Sequence, residues 1–439
     1  MDTVPLIGTN FAKLQSITLY LVFYHIFLFL FRVSLWAAAP FHAKARSWVV
    51  GRIGIFKKMQ AQIKSSDRVI WMHVASLGEF EQGRPLLERL RKEYPSHKLL
   101  LTFFSPSGYE IRKDFPGADW VFYLPLDGPR NAKRFLDIVH PELVLFVKYE
   151  FWFFYLKKIS YRKIPLLLVS AIFRKEMSFF RWYGGISRKM AARFDHLFVQ
   201  DEQSMELLQG IGLGFISSIS GDTRFDRVIE IAASNAPVDG IEQFKGNKPL
   251  LVAGSTWPGD EKVIARALAD SSVSELKIII APHEISDSHL NSLLQLFPQA
   301  QLYSSYHYST NTDTKVLIID SIGLLSKLYR YATVAYVGGG FKLPGIHNVL
   351  EAAVYGIPVF FGPHHQRFLE AIELVQNGGA IALTEEIDPG YSLGVHLASL
   401  VQEPLKLTSM GASSKQYVFE KQGATETILD FIRKKWTLN

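Results

Sequence analysis

The chain is 439 residues long, 48% hydrophobic and 20% charged, with a formal charge of +7 and an isoelectric point near 9.2. That length predicts two domains, and the composition excludes a disordered or fibrous chain. The absence of cysteine excludes disulfides, thiolate metal sites and a cysteine nucleophile, while the basic balance points to an anionic partner: nucleic acid, phospholipid headgroups or a phosphorylated substrate.

Ile17 to Phe31 is apolar apart from Thr18, His25 and the tyrosines; Arg32 interrupts the run and Val33 to Ala39 resumes it. The whole stretch reaches the ~20 residues of a membrane-spanning helix if Arg32 snorkels. Lys44, Arg46, Arg52, Lys57 and Lys58 follow it, and only Lys13 precedes it. That asymmetry predicts a retained anchor, with all that follows on the cytoplasmic side. A cleaved signal peptide ending at Ala37–Ala39 would carry its positive charge ahead of the apolar run. Spanning and in-plane placements both fit the sequence.

Strand-like runs recur at Val69–Val74, Leu99–Phe104, Trp120–Leu124, Leu143–Val147, Leu166–Val169 and His196–Val199. Helical stretches between them, among them Pro85–Lys92 and Asn131–Ile138, predict a parallel sheet with helices on both faces. After the first strand, Ser76-Leu77-Gly78-Glu79 places Glu79 near a helix start. There the dipole favours an ionised carboxylate that can accept a proton, although an acid that merely complements a helix N-terminus fits equally. Glu150, in Lys148-Tyr149-Glu150-Phe151-Trp152, stands at a strand end among aromatics, where an acid is salt-bridged or functional. Between Lys157 and Arg193 ten Lys/Arg face one acid, Glu176, with Phe179, Phe180, Trp182 and Tyr183 interleaved. That mixture suits a membrane interface, single-stranded nucleic acid or a plain solvated face.

Gly221 to Asp226, a helix over Arg227–Ala233 and a polar stretch to Asn247 separate the halves. The expected division is an anchor and connector at 1–48, a first domain at 49–225, a linker at 226–248 and a second domain at 249–439. The second half again alternates. Leu250–Ala253 leads to Gly254-Ser255-Thr256 with Glu261 downstream, Ile278–Ile280 to Pro282-His283, and Val316–Ile319 to Asp320 and Ile322-Gly323-Leu324. The densest signal is Thr333–Val337, then Gly338-Gly339-Gly340, then His347-Asn348-Val349-Leu350-Glu351, then Val359–Phe361. This reads as strand, glycine loop, helix and strand, with ligands expected beyond the strand's carboxyl end and a helix N-terminus offered to an anion. Asn348 with Glu351 is also a capping-box pattern that needs no ligand. There is no Walker lysine, no Asp-X-Asp pair and no closely spaced His/Asp/Glu cluster with good metal geometry, so no metal or other cofactor is expected.

With these motifs in order, the chain resembles the 3-deoxy-D-manno-octulosonic acid (Kdo) transferases of lipopolysaccharide synthesis. The match carries Ser76–Glu79, Glu150-Phe151-Trp152, Gly221–Asp226 (Arg224 where the family has lysine), Ser255-Thr256 with Glu261, and Gly338-Gly339 with His347–Ala353 (Val349 for proline). The resemblance implies an α/β chain of GT-B architecture: two Rossmann-like domains facing across a cleft, after an N-terminal membrane anchor. It implies an enzyme that transfers Kdo from CMP-Kdo to a lipid A precursor (lipid IVA) with inversion, at the cytoplasmic face of the inner membrane, with no nucleic acid as partner. By the same resemblance Glu79 is the general base, and Glu150 and Arg224 support the transition state. Ser255, Thr256, Glu261, Pro282, His283, Ile322–Leu324, Gly338–Gly340 and His347–Glu351 then hold the donor. Two departures stand out: Ala281-Pro282-His283 lacks the family's arginine, and Ile322-Gly323-Leu324 lacks its carboxylate. Another GT-B transferase using a UDP-sugar, or a non-catalytic glycolipid-binding protein tethered to the membrane, are the alternative readings.

Overall fold

The computed structural model describes residues 7–234, 237–269, 273–306, 314–436 and 438, with side chains from Tyr20 onward. Parts of the expected anchor (1–6) and linker (235–236) therefore lie outside the described residues. The chain forms two compact units: residues 1–224 with 423–439, and residues 225–422.

In the first unit, seven strands form one sheet in the order β3-β2-β1-β4-β5-β6-β7. They are β1 (Val69–Val74), β2 (Lys98–Phe103), β3 (Trp120–Tyr123), β4 (Pro141–Val147), β5 (Leu166–Ala171), β6 (His196–Val199) and β7 (Ser217–Ile219). The central strands are continuous Val, Ile and Leu runs because helices cover both faces, and all pair in parallel. Every residue of β1 is buried. The strand order reverses direction between β1 and β4, and at such a switch point the loops part to leave a crevice.

The second unit repeats the plan in the order β10-β11-β9-β8-β12-β13-β14. Its strands are β8 (Leu250–Thr256), β9 (Lys277–Pro282), β10 (Ala300–Leu302), β11 (Val316–Ile318), β12 (Val334–Val337), β13 (Val359–Phe361) and β14 (Ala380–Ala382). Its switch point lies between β8 and β12. Two Rossmann-like domains and an apolar N-terminal helix make this a GT-B fold.

Four helices matter for the first unit: α1 (Ile7–Ala38), α2 (Ala43–Val50), α3 (Ile55–Gln62) and α4 (Leu77–Glu93). Over Tyr20–Ala38, α1 is long and apolar enough to cross a membrane by length and composition. Positions 20, 24, 28 and 31, spaced by three or four, put one stripe of it against the sheet domain. Leu28 is buried, Tyr24 Oη donates to Asp127 at 2.7 Å, and Phe31 meets the Trp48 ring edge-on at 5.6 Å. Phe23, Phe27, Phe29 and Leu30 remain exposed on the rest of the helix.

Three expectations are corrected. The segment 226–248 is no linker: Val228, Ile241 and Phe244 are buried in the second unit's core. The second domain does not run to residue 439, because the helix Ala424–Lys435 inserts Ile428, Leu429 and Ile432 into the first unit's core. The helix expected from Pro85 begins at Leu77, with Pro85 inside it; Ser76 caps it by accepting the Glu79 N–H.

Candidate active site

The first unit's switch point gathers Glu79 and Glu150. Glu79 is the third residue of α4, after the Ser76 cap, and its carboxylate accepts the Ala75 N–H at 2.5 Å. Glu150 follows β4 through a left-handed turn at Lys148 (φ 69°), and β4 lies beside β1. Burial and the neighbouring Glu150 charge raise the Glu79 carboxyl to about 7, outweighing the Ala75 N–H and the nearby Lys148 ammonium. The helix terminus therefore does not keep Glu79 fully ionised at neutral pH. It sits near half-ionisation, the poise of a group that takes and returns protons.

Glu150 ends a buried polar relay. Trp71 Nε1–H donates to Thr102 Oγ1 at 2.8 Å. Thr102 Oγ1 lies 2.9 Å from His73 Nδ1, and His73 Nε2 lies 2.9 Å from Glu150 Oε2. His73 Nδ1 also lies 3.1 Å from the Thr102 carbonyl, so the ring bridges Thr102 and Glu150 through its two nitrogens. The Trp152 indole adds a donor to the same carboxylate oxygen at 2.6 Å. Glu150 is thus buried and fixed in orientation. Arg224 is held beyond β7: its N–H and guanidinium donate to Asp222 at 2.9, 2.8 and 2.7 Å. Thr223 beside it donates to the carbonyl of Gln82 on α4 and lies 3.1 Å from Ser170 Oγ, tying that loop to the helix that carries Glu79.

The second unit's switch point gathers the glycine loop and the end of β8. Ser255 and Thr256 are the last residues of the strand and not a helix start; the following helix runs Pro258–Leu268 with Trp257 before it. A Cβ on Gly338 would strike the Ser255 carbonyl, and one on Gly340 would strike Gly362, so the loop's close approach requires glycine. Asp260, 1% exposed, pins the arrangement by accepting from Gly339 N–H and Trp257 N–H at 2.9 Å and from Tyr336 Oη at 2.8 Å. Thr256 Oγ1 donates to Glu261 at 3.0 Å, and His289 Nε2 lies 3.0 Å from the same carboxylate. Both Glu261 oxygens are engaged by His289, so the carboxylate ties the end of β8 to the helix Asp287–Leu296.

Three rings stack above this edge: Trp257 on His283 at 4.8 Å, and His283 on His347 at 4.3 Å. Trp257 Nε1–H donates to His347 Nε2 at 3.1 Å, which leaves the His347 proton on Nδ1. Burial, His283 and Lys342 push His347 down to about 4, and burial lowers His283 as well; both rings are neutral at pH 7. Lys342 lies over the Trp257 ring.

The expected helix at Asn348 is one turn, Leu350–Ala353, with Val349 before it. Asn348 Oδ1 accepts the Leu350 N–H and its amide donates to Glu351, each at 3.2 Å. A single turn carries little dipole, so the expected anion-binding helix N-terminus is not formed there. Ile322, 93% exposed, with Gly323 and Leu324, follows β11, which neighbours β9 and hence the loop bearing Pro282 and His283. Among the described residues no group of three His, Asp or Glu is arranged to hold a metal ion.

A family model described as 3-deoxy-D-manno-octulosonic-acid transferase matches residues 49–227, the stretch that contains Glu79, Glu150 and Arg224. The Kdo transferase of Aquifex aeolicus is 29% identical over 325 residues, covering 72% of this chain and 82% of its own length. That of Haemophilus influenzae is 26% identical over 374 residues, covering 83% and 86%. Over most of its length the chain is similar to these Kdo transferases. Among solved structures, UDP-GlcNAc 2-epimerase of Neisseria meningitidis superposes with a TM-score of 0.58 at 15% identity, over 84% of this chain and 100% of that one. MurG of Acinetobacter baumannii gives 0.54 at 14% identity, over 84% and 99%. At such identities these two share the fold only.

Sequence reasoning missed His73, Thr102, Asp260 and Lys342. His73 and Asp260 had a signal: a lone His in the apolar run Val69–Val74, and an acid directly after Pro258-Gly259. Nothing local marks Thr102, whose partners come from β1.

Proposed function

We propose that this protein transfers Kdo from CMP-Kdo to a lipid A precursor (lipid IVA), inverting the anomeric carbon, without a metal or other cofactor. The observation that carries this reading is the Glu79 carboxyl, raised to about 7 beside the buried Glu150 at a sheet switch point. Glu79 takes the proton of the acceptor hydroxyl as that oxygen attacks the anomeric carbon, and the bond to the CMP phosphate breaks. Charge then develops in opposite senses on the sugar and on departing CMP. Glu150 supports the cationic sugar and keeps Glu79 basic; Arg224 supports the anionic leaving group.

Ser255, Thr256, Pro282, His283, Ile322–Leu324, Gly338–Gly340 and His347–Glu351 form the donor site in this reading. Its polar contacts come from the His347 Nδ1–H and Lys342; Asp260 positions the glycine loop and Glu261 ties Thr256 to His289, neither touching the donor. The chain works at the cytoplasmic face of the inner membrane, held there by α1 and by exposed cations such as Lys157, Lys163 and Lys189. The packed stripe of α1 supports an in-plane placement, one face on the protein and one in lipid.

Mass spectrometry of lipid IVA incubated with the protein, CMP-Kdo and EDTA tests the whole reading. A mass increment of one or more Kdo units is expected. An increment only from UDP-sugars, or only after a divalent metal is restored, would overturn it.

A further inference from the structure

A cavity of about 450 Å³ opens where α1, α2 and α3 meet in the first unit, apart from Glu79 and from the glycine loop. Its lining carries four cations, Arg32, Arg52, Lys57 and Arg134, together with Trp36 and Trp48. Among the described residues none of the four is ion-paired with a carboxylate. Arg52 is half-buried and spends its guanidinium on three backbone carbonyls: Leu124 at 2.9 Å, Trp48 at 3.1 Å and Phe104 at 2.7 Å. Its charge also lies 3.9 Å above the Trp48 ring, and burial lowers its pKa to about 9, so it stays protonated at neutral pH with no counter-charge. Trp48 is 6% exposed, and among the described residues its indole N–H has no acceptor. A half-buried cation without an anion, ringed by three exposed cations and beside a buried donor without an acceptor, describes a receptor for an anionic oxygen.

The rim supplies the rest of the ligand's chemistry. Val33, Trp36, Phe41, Val50 and Ile53 are all at least 47% exposed around this corner, and the outward residues of α1 extend the apolar surface. A soluble phosphate would leave that surface wet; an amphiphile with an anionic head would cover it. The volume lies in the range of small-molecule clefts, roughly 300–1,000 Å³, suited to a glycerophosphate head and small for a phosphorylated disaccharide bearing several acyl chains.

We propose that this cavity binds one anionic glycerophospholipid of the bilayer, its phosphodiester against Arg52 and the Trp48 indole, its acyl chains along the outer face of α1. The bound lipid fixes the depth and roll of α1 at the membrane surface. Phe104 connects this cavity to the site described above, since its carbonyl accepts from Arg52 while its ring packs on Trp152 at 4.6 Å. Competition with the glycolipid acceptor is therefore part of the test.

The test is native mass spectrometry of the full chain in neutral detergent, titrated with phosphatidylglycerol or phosphatidylcholine of matched acyl chains. One phosphatidylglycerol per chain is expected, at about tenfold lower concentration than phosphatidylcholine. The triple variant Arg32→Gln, Lys57→Gln, Arg134→Gln alters exposed positions only and is expected to erase that preference. Trp48→Phe keeps an aromatic ring, deletes the N–H and is expected to weaken retention about threefold. Equal retention of both lipids, or an unchanged triple variant, would overturn the proposal. So would displacement by inorganic phosphate, which identifies a plain anion site, or one-for-one displacement by lipid IVA, which makes the cavity part of the acceptor site. None of these readouts uses Kdo transfer, so failure here leaves the activity reading intact.

Discussion

The Glu79 carboxyl gains its raised value from being enclosed next to Glu150, and two consequences can be measured. As a base it works ionised, so kcat/KM is expected to rise with pH up to about 7 and level off above it; Glu79→Gln is expected to lose about 10²–10⁴-fold in turnover while still binding CMP. A flat profile between pH 5.5 and 8.5 would remove Glu79 from that role. The stability linkage runs the other way. The folded protein holds this proton more tightly than the unfolded chain, so the contribution is fully present below the ordinary value of 4.5 and is lost as pH rises through 7. Glu79→Gln is therefore expected to stabilise the fold at pH 8, by on the order of 1 kcal/mol, and to change nothing at pH 4. Thr102→Val tests the relay behind Glu150: it strands the Trp71 N–H, and urea unfolding is expected to show a loss of roughly 1–3 kcal/mol.

At the scale of elements, much of the fold was legible in the chain. The central strands are apolar on both faces, so β1, β6 and β13 are read to the residue; parallel burial writes itself as an uninterrupted run. What escaped were β7, β10 and β14, three of the four sheet edges, each only three residues long. An edge strand is part-exposed and mixed in composition, so its signal fades into that of a loop. The glycine loop of the candidate site was legible as glycines, but the helix after it was overestimated, since Asn348 and Glu351 satisfy each other within one turn. The strut beneath that loop, Asp260, was not foreseen, because two of its three donors, Tyr336 and Gly339, lie 76 and 79 residues away in sequence. Asp260→Ala is expected to weaken CMP binding at least about tenfold in calorimetry, by freeing the Gly339 and Trp257 N–H groups. An unchanged Kd would mean that the loop holds its shape without it.

At the scale of the molecule, the units were legible and their bounds were not. Apolar positions in 226–248 and 424–435 tell that those segments are buried, but not under which sheet. Ile432→Ala on the C-terminal helix is expected to destabilise the first unit by roughly 2–5 kcal/mol, read as earlier denaturation of the unit that contains Glu79; a change confined to the second unit would contradict the assignment. The net charge of +7 acts on the whole chain. Flotation with phosphatidylglycerol vesicles is expected to weaken as salt rises from about 0.1 to 1 M, where the screening length falls to about 3 Å. Reversing Lys157, Lys163 and Lys189 is expected to reproduce that loss at low salt. Flotation indifferent to both would leave α1 as the whole anchor.

The helix Ala424–Lys435 has one more consequence, for biosynthesis. The unit begun first on the ribosome is closed last, since its apolar surface lacks Ile428, Leu429 and Ile432 until residues 423–439 have emerged. The second unit is translated entirely within that interval. A nascent chain stalled after Gln422 would therefore present a finished later lobe and an open earlier one, and holdase chaperones should favour the beginning of the protein even though the missing part is its end.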